Sequence, residues 1–175
     1  DARLSPAQLV LIGAAQALVA LGFEIPAGVF ADTISRTWSL VVSHLLMGTA
    51  MLATGLVTDF GPLLAIQMLW GLSWTFASGA DVAWITDELA EPGRISVVLM
   101  RSGRAQLTGA AAGLVGFGAL ASLTQRSTAM VLAGAAMLLL GLYVMVRFGE
   151  QHFTPAVTGR WSASWSILGR GWSLV

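Results

Sequence analysis

No cysteine and no lysine occur in the 175 residues, and charged side chains make up 10% of them, against about 25% in ordinary soluble domains. Each shortage removes something. Without Cys there is no disulfide, no thiolate metal ligand and no cysteine nucleophile, and two separated His residues make a poor metal set. The nine basic residues, all Arg, are balanced by nine acids, so no nucleic-acid surface is expected. The sequence also lacks G-x-S-x-G, H-E-x-x-H and G-x-x-x-x-G-K-[ST]. With them go the hydrolase and zinc-protease signatures and the phosphate loop of an ATP-driven pump. No cofactor and no metal are expected.

What the chain has instead is apolar length. Hydrophobic residues are 56% of the total, and they gather in five charge-poor runs, about 5–31, 37–58, 61–88, 98–123 and 127–148. Each is close to the roughly 20 residues that a helix needs to cross about 30 Å of hydrocarbon. Backbone amides in lipid have no water to bond to, and no alternating ten-residue pattern points to barrel strands, so the runs are expected to be helices. The reading is an all-α integral membrane protein: one transmembrane domain over 1–150, then an amphipathic linker over 151–175. In that linker Trp161, Trp165, Leu168 and Trp172 recur at spacings of four, three and four, with Arg160 and Arg170 nearby. Such a stripe suits a helix lying at the membrane surface.

Orientation follows from the arginines, since basic residues favour short cytoplasmic loops. If the first span ends inside, Arg36, Arg94, Arg101, Arg104, Arg147, Arg160 and Arg170 fall on the cytoplasmic side, and Arg3 and Arg126 on the other. Loops 31–37 and 89–96 and the C-terminus are then cytoplasmic. The chain opens at Asp1 with an outward N-terminus, so a preceding helix is expected upstream.

Polar residues inside the spans carry the functional expectations. A carboxylate at mid-membrane costs several kcal/mol unless it faces a wet cavity or a partner. Glu24 and Asp81 are the two acids so placed, Glu24 one turn before Gly28. On one continuous helix, Gln67, Trp74, Ser78 and Asp81 would share a face at spacings of seven, four and three. With Glu24 they form the candidate substrate path, against the plainer reading of interhelical hydrogen bonds and packing. His44, among apolar neighbours, reads as a neutral, hydrogen-bonded packing residue. Gly109 and Gly113 predict a close helix contact, Gly28 the end of the first span, and Arg94, Arg101 and Arg104 a headgroup anchor.

The loop Gly28-Val29-Phe30-Ala31-Asp32-Thr33-Ile34-Ser35-Arg36-Thr37 resembles the signature G-x-x-x-D-R-x-G-R-R of the major facilitator superfamily of secondary transporters. Gly28, Asp32 and Arg36 match it; Thr33, Ser35 and Thr37 depart from it. Leu64 to Gly71 has the spacing of that family's L-x-x-R-x-x-Q-G motif, with Gln67 in the Arg position. The Gly run 109, 113, 116 and 118 is similar to the family's fifth helix, without the antiporter Pro, and Ala83 to Leu89 is similar to many bacterial members. The resemblance implies helices two to six of the N-terminal half of a twelve-helix bundle. The first helix and the second half would lie outside this chain.

It also implies a small solute, an optional coupling ion, the bilayer and the missing half as partners, in a bacterial plasma membrane. By the same resemblance Gly28, Asp32 and Arg36 form a cytoplasmic gate. Asp32 would dock at a helix N-terminus of the second half, and Arg36 would reach an acid closing the fourth helix, Asp87 first and Glu88 second. The expected function is a fragment of a secondary active transporter working by alternating access, and no enzyme. The alternatives are an integral-membrane enzyme using His44, Asp81 and Asp87, or a non-catalytic membrane assembly module.

Overall fold

The computed structural model describes residues 4–89 and 91–156. Among them are the α-helices α1 (Pro6–Thr33), α2 (Arg36–Leu56), α3 (Phe60–Ala77), α4 (Ala80–Leu89), α5 (Ile95–Leu123) and α6 (Arg126–Arg147), with one 3₁₀ turn at Pro92–Arg94. No strand occurs among the described residues. Taking α3 and α4 together as Phe60–Leu89, five stretches are long and apolar enough to cross a membrane. The Trp161 to Trp172 stripe of the expected linker lies outside the described residues.

Local chemistry accounts for most boundaries. The Ser5 hydroxyl accepts the Gln8 amide at 3.3 Å while the Gln8 side chain accepts the Ser5 amide at 2.8 Å, a reciprocal cap with Pro6 at the first helical position. Ser35 caps α2 by accepting the Trp38 amide at 2.9 Å. Gly28 does not end the first helix, as its sequence position had indicated. α1 runs on to Thr33, whose hydroxyl bonds back to the Val29 carbonyl at 2.6 Å, and only Ile34 and Ser35 separate it from α2.

The third span is broken rather than continuous. The Ser78 amide still bonds to the Trp74 carbonyl at 2.9 Å, and Gly79 then takes φ +74°, a left-handed conformation open to glycine at little cost. α4 restarts at Ala80 with Asp81 in its first turn. The helical register that would put Gln67, Trp74, Ser78 and Asp81 on one face therefore holds only as far as Ala77.

α2 and α6 form the most extensive contact, followed by α1 with α3 and α2 with α3. The α2–α6 pair is antiparallel and built on small residues. A Cβ on Gly48 would lie 2.8 Å from the Leu138 side chain and 2.9 Å from the Gly134 carbonyl, and one on Gly134 would lie 2.7 Å from the Leu52 amide nitrogen. Backbones this close leave no room for a side chain, the usual basis of helix packing where water provides no driving force. The close helix contact expected at Gly109 and Gly113 is absent among the described residues. A Cβ at either position meets nothing within 4 Å, and α5 contains no buried residue. The buried apolar cluster, Ala31, Leu40, Val41, Ala80 and Val144, sits instead where the end of α1, the start of α2 and α4, and the end of α6 converge, with Trp84 and Phe148 against it.

Candidate functional site

That convergence carries the densest polar network among the described residues. Arg36, the first residue of α2, points back across the α1–α2 turn to α4. Its Nη1 donates to the Ala83 carbonyl at 2.7 Å and to the Asp87 carboxylate, while Nη2 lies 3.8 Å from Asp32 Oδ1 on α1. The side chains of Arg36 and Asp87 are 17% and 29% exposed. The pair is thus partly withdrawn from solvent, where charge-assisted hydrogen bonds gain strength. One guanidinium thus joins its own helix to two others.

The chain leaving α6 folds over this network. The Glu150 carboxylate accepts the Thr37 amide at 2.6 Å, and the Gly149 carbonyl accepts the Trp84 indole N–H at 3.1 Å. Glu88 Oε1 accepts the amides of Gln151 and His152 at 2.8 and 3.0 Å, and its Oε2 lies 3.6 Å from the His152 ring. The Phe153 ring stands 5.7 Å from the Arg36 guanidinium carbon, within cation–π range, and the Ala156 amide donates to the Asp32 carbonyl at 2.9 Å. Trp84 and Phe148 stack at 4.4 Å beneath. Of the gate residues named from sequence, Asp32, Arg36 and Asp87 meet here. Gly28 lines a cavity of about 160 Å³ next to them, with Asp32, Ser78 and Gly79.

The substrate-path residues divide. The Ser78 hydroxyl donates to Glu24 Oε1 at 2.6 Å, linking the break after α3 to α1, and the exposed Trp74 ring lies one turn earlier on the same helix. Gln67 sits apart from them, its amide 3.3 Å from the Thr54 hydroxyl on α2. Asp81 is exposed and accepts the amide of Val82 at 2.7 Å. A carboxylate in the first turn of α4 is favourably placed against the helix dipole, which provides Asp81 with a structural role of its own. His44 Nδ1 lies 2.6 Å from the Leu40 carbonyl one turn back, as a hydrogen-bonded packing residue would. Arg94 pairs with Glu91 at 3.1 Å in the exposed 3₁₀ turn, outside the helix that holds Arg101 and Arg104.

At the other end of the bundle α2, α5 and α6 surround a half-open cavity of about 690 Å³, lined by Thr54, Thr58, Thr124, Gln125 and Arg126 among others. Sequence reasoning missed this cavity, and it missed Trp84, Glu150, His152 and Phe153 as partners of the Arg36 network. The one available signal was the polar Gly149-Glu150-Gln151-His152 run directly after a long apolar window. No known protein family, curated protein or solved structure matches the chain.

Proposed function

We propose that the chain is part of a secondary active transporter that moves a small solute by alternating access, with the α1–α2 turn as one side of a cytoplasmic gate. The observation that carries this reading is the Arg36–Asp87 pair, which joins the start of α2 to the end of α4 across the α1–α2 turn. Charges near helix ends contribute about 0.3–1 kcal/mol each when exposed and up to about 2 when partly buried. Energies of that size bias two packings that differ by only a few kcal/mol. In this reading Arg36 and Asp87 hold one of the two packings, and Asp32 lies at the edge that a second bundle would meet. Glu24, Trp74 and Ser78 form the core of the solute path, with Gln67 and Asp81 at separate points along it. The missing half would complete the cavity around a site near the bilayer midplane.

Uptake or efflux in the full-length protein tests this. Asp32→Ala with Arg36→Ala is expected to reduce solute flux at least tenfold, and Asp81→Asn to reduce it less. Unchanged flux in the double variant would count against the gate.

One observation favours a second reading, an assembly module that works with another membrane chain. The apolar windows of α1 and α5 contain no buried residue among the described residues, which leaves much of their apolar surface exposed although α1 packs on α3 and α5 on α6. Co-purification of a second integral membrane chain, with no flux from this chain's own full-length form, would favour the module.

A further inference from the structure

The segment 148–156 does more than leave α6. It makes contacts with all three parts of the Arg36 network: Asp32 and Thr37 on either side of the α1–α2 turn, Arg36 itself, and Trp84 and Glu88 on α4. Almost every contact is a single hydrogen bond from or to an exposed chain, while the Trp84–Phe148 stack at its root packs against the buried cluster. A strap of this kind is hinged at Phe148 and held by separable bonds beyond it. Phe148 and Glu150 also roof a cavity of about 200 Å³ whose floor includes Ser35, Thr37 and Val41. Thr37 is 7% exposed, and its hydroxyl has no hydrogen-bond partner among the described residues.

We propose that residues 149–156 are a displaceable strap that locks the α1–α2 turn to α4, so that the Arg36–Asp87 pair separates only after the strap has lifted. The geometry requires the order. Moving α4 away from α2 parts Glu88 from Thr37, and the strap is bonded to both, through the Gln151 and His152 amides on one side and Glu150 on the other. Phe153 covers the guanidinium that would have to become solvated. A chain fixed at the end of α6 thereby gains control of a contact between α2 and α4. The proposal rests on reading that contact as a gate, but the strap itself is measurable without any transported solute.

This chain has no Cys, so once any Cys elsewhere in the full-length protein is replaced by Ser, single thiols report cleanly. Thr37→Cys places a thiol of similar size under the strap, Ile34→Cys one on the exposed turn at 61% exposure, and Ser73→Cys one at a fully buried position. The probe is a water-soluble methanethiosulfonate on the full-length protein in membranes. Glu150→Ala or Glu88→Ala is expected to speed labelling of the thiol at 37 roughly tenfold or more, the scale set by losing a hydrogen bond to a charged acceptor. Labelling at 34 and 73 should stay at the rates of the parent. An unchanged rate at 37 overturns the proposal. Should the thiol at 73 become reactive, the variant has unfolded, and amide exchange in the unsubstituted protein decides instead. Protected amides at Thr37, Gln151, His152 and Ala156 support the strap; exchange at free-peptide rates overturns it. A protected strap in a protein without solute flux would refute the transport reading and leave the strap standing.

Discussion

Where α1 meets α2, a guanidinium, four carboxylates, a strap and an aromatic stack tie the ends of α1, α2, α4 and α6 together. Where α2 meets α3 and α5 meets α6, the same bundle opens into a cavity of about 690 Å³ with threonines and Arg126 at its rim. The helices that pass between the two ends all carry a long apolar window, α5 included, so apolar length alone does not create the difference. Backbone approach does. The glycines at 48 and 55 on α2, and at 134 and 141 on α6, recur at a spacing of seven and allow this antiparallel pair to close along its whole length. A Cβ on any glycine of α5 would meet nothing within 4 Å among the described residues, and α5 buries no residue there, although it touches α6 and α4. Two helices of similar composition can thus be a core element and an outlying one, according to whether their small residues find a matching groove.

The largest way to break this contrast is to fill the α2–α6 seam. Gly134→Leu places a side chain where even a Cβ would lie 2.7 Å from a backbone nitrogen, so one helix has to shift. Overpacking costs about 1–3 kcal/mol and occasionally more. Thermal unfolding in detergent should show Gly134→Leu as severely destabilised or unrecoverable. Gly109→Ala, into open space, should be neutral or raise stability by up to about 1 kcal/mol through helix propensity. Equal effects at the two positions would refute the assignment of the seam.

A smaller loss is expected at the tied end. Asp87→Ala leaves Arg36, 17% exposed, without its closest carboxylate. The cost should fall between the about 0–1 kcal/mol of an exposed pair and the about 3–5 kcal/mol of a buried one, so about 2 kcal/mol by chemical or thermal unfolding. Asp87→Asn should recover part of it, because an amide oxygen still accepts from the guanidinium. If Asp87→Ala unfolds with the parent's midpoint, the ion pair is not what ties the end together. The smallest effect belongs to the open end. Thr54→Val removes the hydroxyl that receives the Gln67 amide at 3.3 Å, and interhelical hydrogen bonds in membranes average about 0.6 kcal/mol. A loss above about 2 kcal/mol there would show that the open end is held more firmly than its cavity implies.

Much of the architecture was legible in the residues, and the exceptions have particular causes. The helix count and most boundaries follow from apolar length and caps, both local properties. The third span was read as continuous because Ser78 and Gly79 leave its hydropathy unbroken; the break depends on Gly79 entering the left-handed region while Ser78 bonds to Glu24 on another helix. Of the candidate site, Asp87 as the partner of Arg36 came from a resemblance. Glu88, the second choice for that role, turns instead to two amides of the strap. The Gly109–Gly113 spacing looked like a contact motif, yet the working glycines are the seven-spaced ones of α2 and α6. A small-residue pattern states that close approach is permitted, not which helix will use the permission.

The amino-acid sequence alone determined that five stretches would be helical and long enough to cross a membrane, because a helix satisfies its own backbone and each run carries its apolar length within itself. Only the tertiary structure decided which end is bound and which is open. The bond from Thr37 to Glu150 joins residues 113 positions apart. Such a contact exists only once α2 and α6 have packed, since no local preference can bring their ends to one place.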